Sequence, residues 1–298
     1  MLTGLHFLIS YTCTMECDHC FLYCKPNAGG TITLEQIRKV LDQAREIGTV
    51  TTIYFEGGEP FMFHPLLAEA VRLCREMDLE VGVVTNSYFA TTVEDAKLWL
   101  RPLKDLGVSM VHISDDTYHH EKGDPRPGNV AKATEELGMK IHMISIDEPA
   151  PDAAGSDLSE EGAVVGGGPQ MKGRAVEKVT KYLPLKPFGT FNECKDEELR
   201  SPKRFHIDAF GNVHICQGIS MGNMWEKPLS KLVKEYDPEA HPIVGPLLEG
   251  GPARLFEKYG LEHEDKYVSA CHCCYMARSA LIDRFPGYLA PRQVYGLD

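Results

Sequence analysis

LHFLISYTCTMECDHC, residues 5–20, opens the chain with an apolar run and then sets three cysteines in one short excursion. Residues 5–11 are too few for a stable helix and rich enough in apolar side chains for a buried strand. Working outward, the strand is followed by a helix signature. Thr33 and Gln36 stand at capping-box spacing, and Ile37, Val40, Leu41, Ala44 and Ile47 form one apolar stripe that stops at Gly48. The unit then repeats. Residues 51–55 read as a strand, Leu66, Leu67, Ala70, Val71 and Cys74 mark a helix, and residues 81–85 read as a third strand. A helix over 93–106, a strand over 108–114, a helix over 130–137 and a strand over 140–146 follow. Successive βα units require a parallel sheet with right-handed crossovers.

Between residues 147 and 170 the composition turns to Pro, Ala, Gly, Asp and Ser, with only 163–166 resembling a sixth strand. Beyond Gly173 the pattern changes to short strand-like pieces, 205–208 and 213–215 around a turn at 209–212, and then to a Pro-rich tail read as mostly loop. The expected organisation is a barrel domain over 1–170 and a smaller domain over 171–298. Residues rich in chemistry follow the strands. Cys13, Cys17 and Cys20 follow the first, Gly57, Gly58 and Glu59 the second, Asn86 the third, Ser114 and Asp116 the fourth. In a parallel barrel those loops share one rim, where active sites are built.

A formal charge of −12 disfavours a nucleic-acid partner, since such binders concentrate Lys and Arg on one face. No stretch has the roughly 18 unbroken apolar residues of a membrane span. Residues 1–9 lack the basic leader of a secretion signal, so a cytoplasmic location is expected. Ten cysteines there point to metal or redox chemistry rather than disulfides. They fall in two groups: Cys13, Cys17, Cys20 and Cys24, then Cys194, Cys216, Cys271, Cys273 and Cys274. Cys74 alone lies on a helical stripe and reads as a buried thiol.

Three thiolates in C-x3-C-x2-C spacing can hold three irons of a cubane and leave the fourth open, although a zinc site has a similar donor set. With Glu56-Gly57-Gly58-Glu59-Pro60 after the second strand, the chain resembles the radical S-adenosylmethionine family, with His19 in the place of its usual aromatic residue. The resemblance implies an enzyme whose [4Fe-4S] cluster sits on Cys13, Cys17 and Cys20. It implies S-adenosylmethionine held by Gly57, Gly58, Glu59, Asn86 and Ser114, and a 5'-deoxyadenosyl radical that abstracts a substrate hydrogen atom. The fold implied is α/β, a partial (β/α)6-type TIM barrel with a small C-terminal α+β domain.

Gly173-Arg174-Ala175, the later cysteines and the G-x4-C spacing of Gly211 and Cys216 resemble the SPASM/twitch branch of that family. The cysteine count implies one auxiliary [4Fe-4S] cluster on Cys194, Cys216, Cys271 and Cys274, with Cys273 the alternative for the last place and a structural zinc the alternative metal. Asp116, Tyr118 and His119 are candidates for deprotonating a substrate radical; otherwise His119 and His120 sit on a solvated loop. Branch members mostly modify peptides, so oxidation or cross-linking of a peptide or protein side chain is expected. The alternatives are a small-molecule dehydrogenation or cofactor-ring step, and a non-enzymatic iron-sulfur or zinc module. An external one-electron reductant such as flavodoxin or ferredoxin is implied. The first strand begins almost at once, leaving no leader-gripping domain ahead of it, so a peptide substrate calls for a separate partner.

Overall fold

The computed structural model describes residues 1–148 and 168–297. The expected sixth strand at 163–166 lies outside the described residues. Four βα units and a fifth strand are present among the described residues: β1 Gly4–Leu8, α1 Leu34–Ile47, β2 Thr52–Glu56, α2 His64–Arg75, β3 Glu80–Thr85, α3 Val93–Asp105, β4 Met110–Ser114, α4 Arg126–Glu136 and β5 Lys140–Ile144. α1 starts and stops where its sequence demands. The Thr33 hydroxyl accepts from the Gln36 backbone, the Gln36 side chain accepts from the Thr33 N–H, and Gly48 closes the helix in the left-handed region at φ 74°. α4 begins four residues earlier than the periodicity suggests, because Pro127 near its start presets a helical φ and needs no N–H partner.

After α5, Arg174–Lys178, come β6 Lys186–Pro187, β7 Arg204–Ile207, β8 Asn212–Cys216, β9 Ile219–Asn223, α6 Leu229–Glu235, α7 Val244–Tyr259, β10 Lys266–Tyr267 and α8 Ala270–Leu281. The tail read as loop is therefore substantially helical. Gly250 and Gly251 interrupt α7 with non-helical backbone and Pro252 follows them, which broke the periodic signal on which that reading rested.

One sheet runs β5-β4-β3-β2-β1-β7-β8-β9. β1 to β5 are mutually parallel and β7 joins the free edge of β1 in parallel, with His6 opposite His206; β8 and β9 continue antiparallel. The sheet thus passes unbroken from the barrel strands into the later segment.

Strand alternation sorts the side chains onto two faces. Leu5, Phe7, Ile53, Phe55, Val81, Val83, Val111 and Ile113 are fully buried in the same core as Ile37 and Val40 of α1, Leu67 and Val71 of α2 and Leu100 of α3. The opposite face carries His6, Tyr54, Glu56, His112 and His142, all half-buried, and the buried His206. Phe7 stacks on Phe55 at 5.3 Å between ring centres. Phe7→Ala is expected to cost about 3–5 kcal/mol in denaturant unfolding; a loss below about 1 kcal/mol would contradict this packing.

Candidate functional site

The rim at the C-terminal strand ends is drawn together by a backbone contact. Past β1 and β2 the two chains stay hydrogen-bonded: Gly58 N–H donates to Ser10 O at 2.6 Å and Glu59 N–H to Thr12 O at 3.0 Å. Glycine is required on both counts. Gly57 has φ +124°, and a β-carbon on Gly58 would lie 1.9 Å from the Thr12 carbonyl oxygen. The close approach that these glycines permit is to the chain's own cysteine loop.

Glu59 is buried beneath that contact. Its carboxylate accepts from the Phe61 N–H, the Thr85 hydroxyl and the Asn86 N–H at 2.7–3.0 Å. Burial still pushes the carboxyl up to about 7, against the pull of those donors. Asn86 links this carboxylate to the cysteines: its side-chain amide donates to Cys13 Sγ at 3.5 Å and to the Thr14 hydroxyl at 3.1 Å. Ser114 ends β4 and is buried on the same rim.

The three thiols of the loop repel one another as thiolates. Burial first, then neighbouring charge including the Cys20 thiolate, pushes Cys13 up to about 11 and Cys17 up to about 12. Cys20 is drawn down to about 6, chiefly by the hydrogen bond from the Cys24 thiol, with help from the Leu22 and Cys24 N–H groups and Arg174. Cys24 thus serves Cys20 rather than facing the rim independently.

Asp116, Tyr118 and His119 come together with His19. Asp116 accepts from His119 Nδ1 at 2.8 Å and from the backbone of Tyr118, His119 and Ile146. Burial works against the Asp116 carboxylate, but the His119 bond and charge outweigh it and hold the group below its ordinary range. His19 stacks on Tyr118 at 4.5 Å and meets the edge of His119 at 4.8 Å. Burial, reinforced by His119, lowers His19 to about 4, and its Nδ1 is a buried atom with no partner among the described residues. The solvated-loop alternative for this segment does not hold: His120 is buried and pairs with Asp124 at 3.3 Å.

The second cysteine group closes around a small cavity. Cys194, Cys216, Cys271 and Cys274 all line it, with Lys172, Asp196, Glu197 and Arg278. Cys271 and Cys274 share a face of α8 one turn apart, whereas Cys273 is fully buried in the apolar core and does not line the cavity. Burial, then the neighbouring thiols, pushes Cys194 up to about 12. Cys74, as its stripe suggests, is buried on α2, and burial raises it to about 12.

Sequence reading passed over the histidine row on the open face of the sheet. Glu56 Oε1 accepts from His6 at 3.1 Å and His206 at 3.0 Å, His6 stacks on Tyr54, and Tyr54 and His142 both touch His112. No signal in the sequence marks it, because strand register sets His6 opposite His206 and His112 opposite His142. Burial, then His142, lowers His112 to about 4.

Comparisons with known proteins cover the segment that carries this rim. Residues 7–147 match the family described as Radical SAM superfamily. The putative peptide biosynthesis protein YydG of Bacillus subtilis is 24% identical over 107 residues, covering 36% of this chain and 34% of that protein. A tungsten-containing aldehyde ferredoxin oxidoreductase cofactor-modifying protein of Pyrococcus furiosus is 30% identical over 113 residues, 38% of this chain and 30% of that protein. The antilisterial bacteriocin subtilosin biosynthesis protein AlbA of Bacillus subtilis is 27% identical over 135 residues, 45% of this chain and 29% of that protein. The matches span about a third of the length of these relatives. The crystal structure of BtrN in complex with AdoMet and 2-DOIA shares the fold, with a TM-score of 0.53 at 15% identity over 80% of this chain and 83% of that one.

The lowered His112 makes a pH prediction. A neutral buried imidazole stabilises the fold above its unfolded value near 6.5, and that contribution is lost as pH falls through about 4. In the metal-free protein, His112→Gln is expected to flatten the decline in unfolding free energy between pH 6.5 and 4; parallel pH profiles would contradict it.

Proposed function

We propose, from the Radical SAM domain that residues 7–147 form, that Cys13, Cys17 and Cys20 hold a [4Fe-4S] cluster whose fourth iron takes S-adenosylmethionine. The donor set supports this, since crowded buried thiols become thiolates together only when a cation compensates them. The observation that carries the reading is Asn86, which donates through its side chain to Cys13 and through its backbone to Glu59. Cysteine loop and Gly-Gly-Glu loop therefore converge on one small volume. Bound there, cluster and cofactor would supply one-electron cleavage of the sulfonium to a 5'-deoxyadenosyl radical that takes a hydrogen atom from the substrate.

The chain's own residues bind, orient and exchange protons. Glu59 provides the carboxylate for the cofactor's ammonium, a cation that would draw its raised pKa back down. Asn86 and Ser114 provide polar contacts for the ribose and the carboxylate. Asp116 holds Nδ1 of His119 and so leaves Nε2 as the proton acceptor toward the substrate. Tyr118, pushed up to about 12 by burial and then Glu148, keeps its proton and packs against His19.

The four thiols around the second cavity fit one auxiliary [4Fe-4S] cluster, and Arg278 supports an anionic occupant because its buried Nε has no partner among the described residues. Such a cluster would supply a one-electron relay, making the net reaction an oxidation. The peptide-biosynthesis relatives favour a peptide or protein side chain as substrate. The cofactor-modifying relative favours a small-molecule reading instead. A flavodoxin- or ferredoxin-type reductant completes the system.

Anaerobically reconstituted protein with dithionite is expected to form 5'-deoxyadenosine, and Cys17→Ser to abolish it; zinc without sulfide in the purified protein would sink the reading. Glu59→Gln is expected to weaken S-adenosylmethionine binding about tenfold in equilibrium titration. Candidate peptides and small molecules compared for stimulation of deoxyadenosine release identify the substrate class. Cys216→Ser is expected to remove product while leaving cofactor cleavage intact, and unchanged product yield would rule out the relay.

A further inference from the structure

Three consecutive residues tie the two cysteine groups together. Lys172 and Arg174 are both almost completely buried. The Lys172 ammonium donates to Cys216 Sγ at 3.5 Å and to Gln217 Oε1 at 2.6 Å, and lies over the Phe21 ring at 5.4 Å. Arg174 turns the other way. Its guanidinium donates to the carbonyls of Cys17 and Cys24, each at 2.8 Å, and its backbone N–H donates to Cys20 O at 3.0 Å. Gly173 permits the reversal: it adopts φ +62°, and a β-carbon there would meet the Phe21 backbone at 2.6 Å.

A buried ammonium is stable only where negative charge compensates it. Glu197 lies 3.6 Å from Lys172 with most of its side chain buried, but the ammonium also bonds directly to a sulfur that is neutral as a thiol. Arg278, a second buried cation, lines the same cavity, and its Nε is unpartnered among the described residues. Two buried cations therefore face four cysteines. A four-iron cluster held by four thiolates carries net negative charge that grows on reduction, and its potential responds to nearby charge and to hydrogen bonds on its sulfurs.

We infer that Lys172 sets the reduction potential of the auxiliary centre, raising it by direct contact with Cys216, and that Gly173 and Arg174 hold Lys172 there by anchoring it to the N-terminal cysteine loop. This rests on the auxiliary-cluster reading above. Lys172 is a positioning residue in this scheme, touching a ligand of the centre and not the reacting atoms. One electron enters the cluster when it is reduced, and no bond of the chain forms or breaks.

The test uses the full chain carrying Cys13→Ala, Cys17→Ala and Cys20→Ala, which leaves only the second centre to titrate while keeping the carbonyls that Arg174 grips. With dithionite and mediator dyes, Lys172→Met is expected to lower the ratio of reduced to oxidised cluster at a fixed potential at least tenfold, about 59 mV for one electron. Lys172→Arg, which keeps the charge, is expected to stay near the parent value. Where Lys172→Met does not retain iron, Lys172→Gln supplies the uncharged comparison. No iron or sulfide in the triple variant would overturn the auxiliary cluster itself. A retained cluster with an unmoved potential would overturn the role of Lys172 alone.

Discussion

The rim depends on two strands that continue to pair after they leave the sheet. Because Gly58 has no side chain, its backbone can lie against Ser10 and Thr12, and the loops after β1 and β2 become one hydrogen-bonded unit. Without that approach Glu59 could not sit under the cysteine loop with its carboxylate bonded to Thr85 and Asn86. A strand-end carboxylate would then be solvated and ordinary; held here, it is desolvated and shifted upward. Steric permission at one residue thus controls electrostatics several ångströms away.

Polar groups are buried at both cysteine centres, and each is placed against a partner or a site. Asp116 locks His119, Asn86 bridges Cys13 and Glu59, and Arg174 grips the carbonyls of the first cysteine loop. Five buried side-chain atoms lack a partner among the described residues, and two of them, His19 Nδ1 next to Cys20 and Arg278 Nε on the second cavity, stand beside a cysteine group. Buried polar groups ordinarily find partners, so an orphan next to clustered thiols is a physical reason to assign an occupant there. The apolar side of the sheet shows no such tension: strand residues such as Phe7, Phe55 and Val83 pack with the helices in one continuous core.

Much of this was legible in the chain itself. The βα rhythm, the cap at Thr33, the stop at Gly48 and the placement of chemical residues after strands all follow from local periodicity and capping chemistry. The later helices were less legible, because Gly250, Gly251 and Pro252 erase the local signal at a kink, while the helical stretches on either side of it pack through the buried Leu247, Leu255 and Phe256. The histidine row escaped notice for a related reason: each member is one polar residue in its own strand, and only strand register aligns them.

Sequence alone determined the fold class and the two groups of cysteines, since spacing within a loop and alternation within a strand are local properties. Tertiary structure decided which distant groups meet. It placed β7 on the free edge of β1, turned Cys273 into the core while Cys274 faced the cavity, and set Lys172 against Cys216. Those outcomes depend on packing between segments more than 40 residues apart, for which the linear pattern carries no distance information.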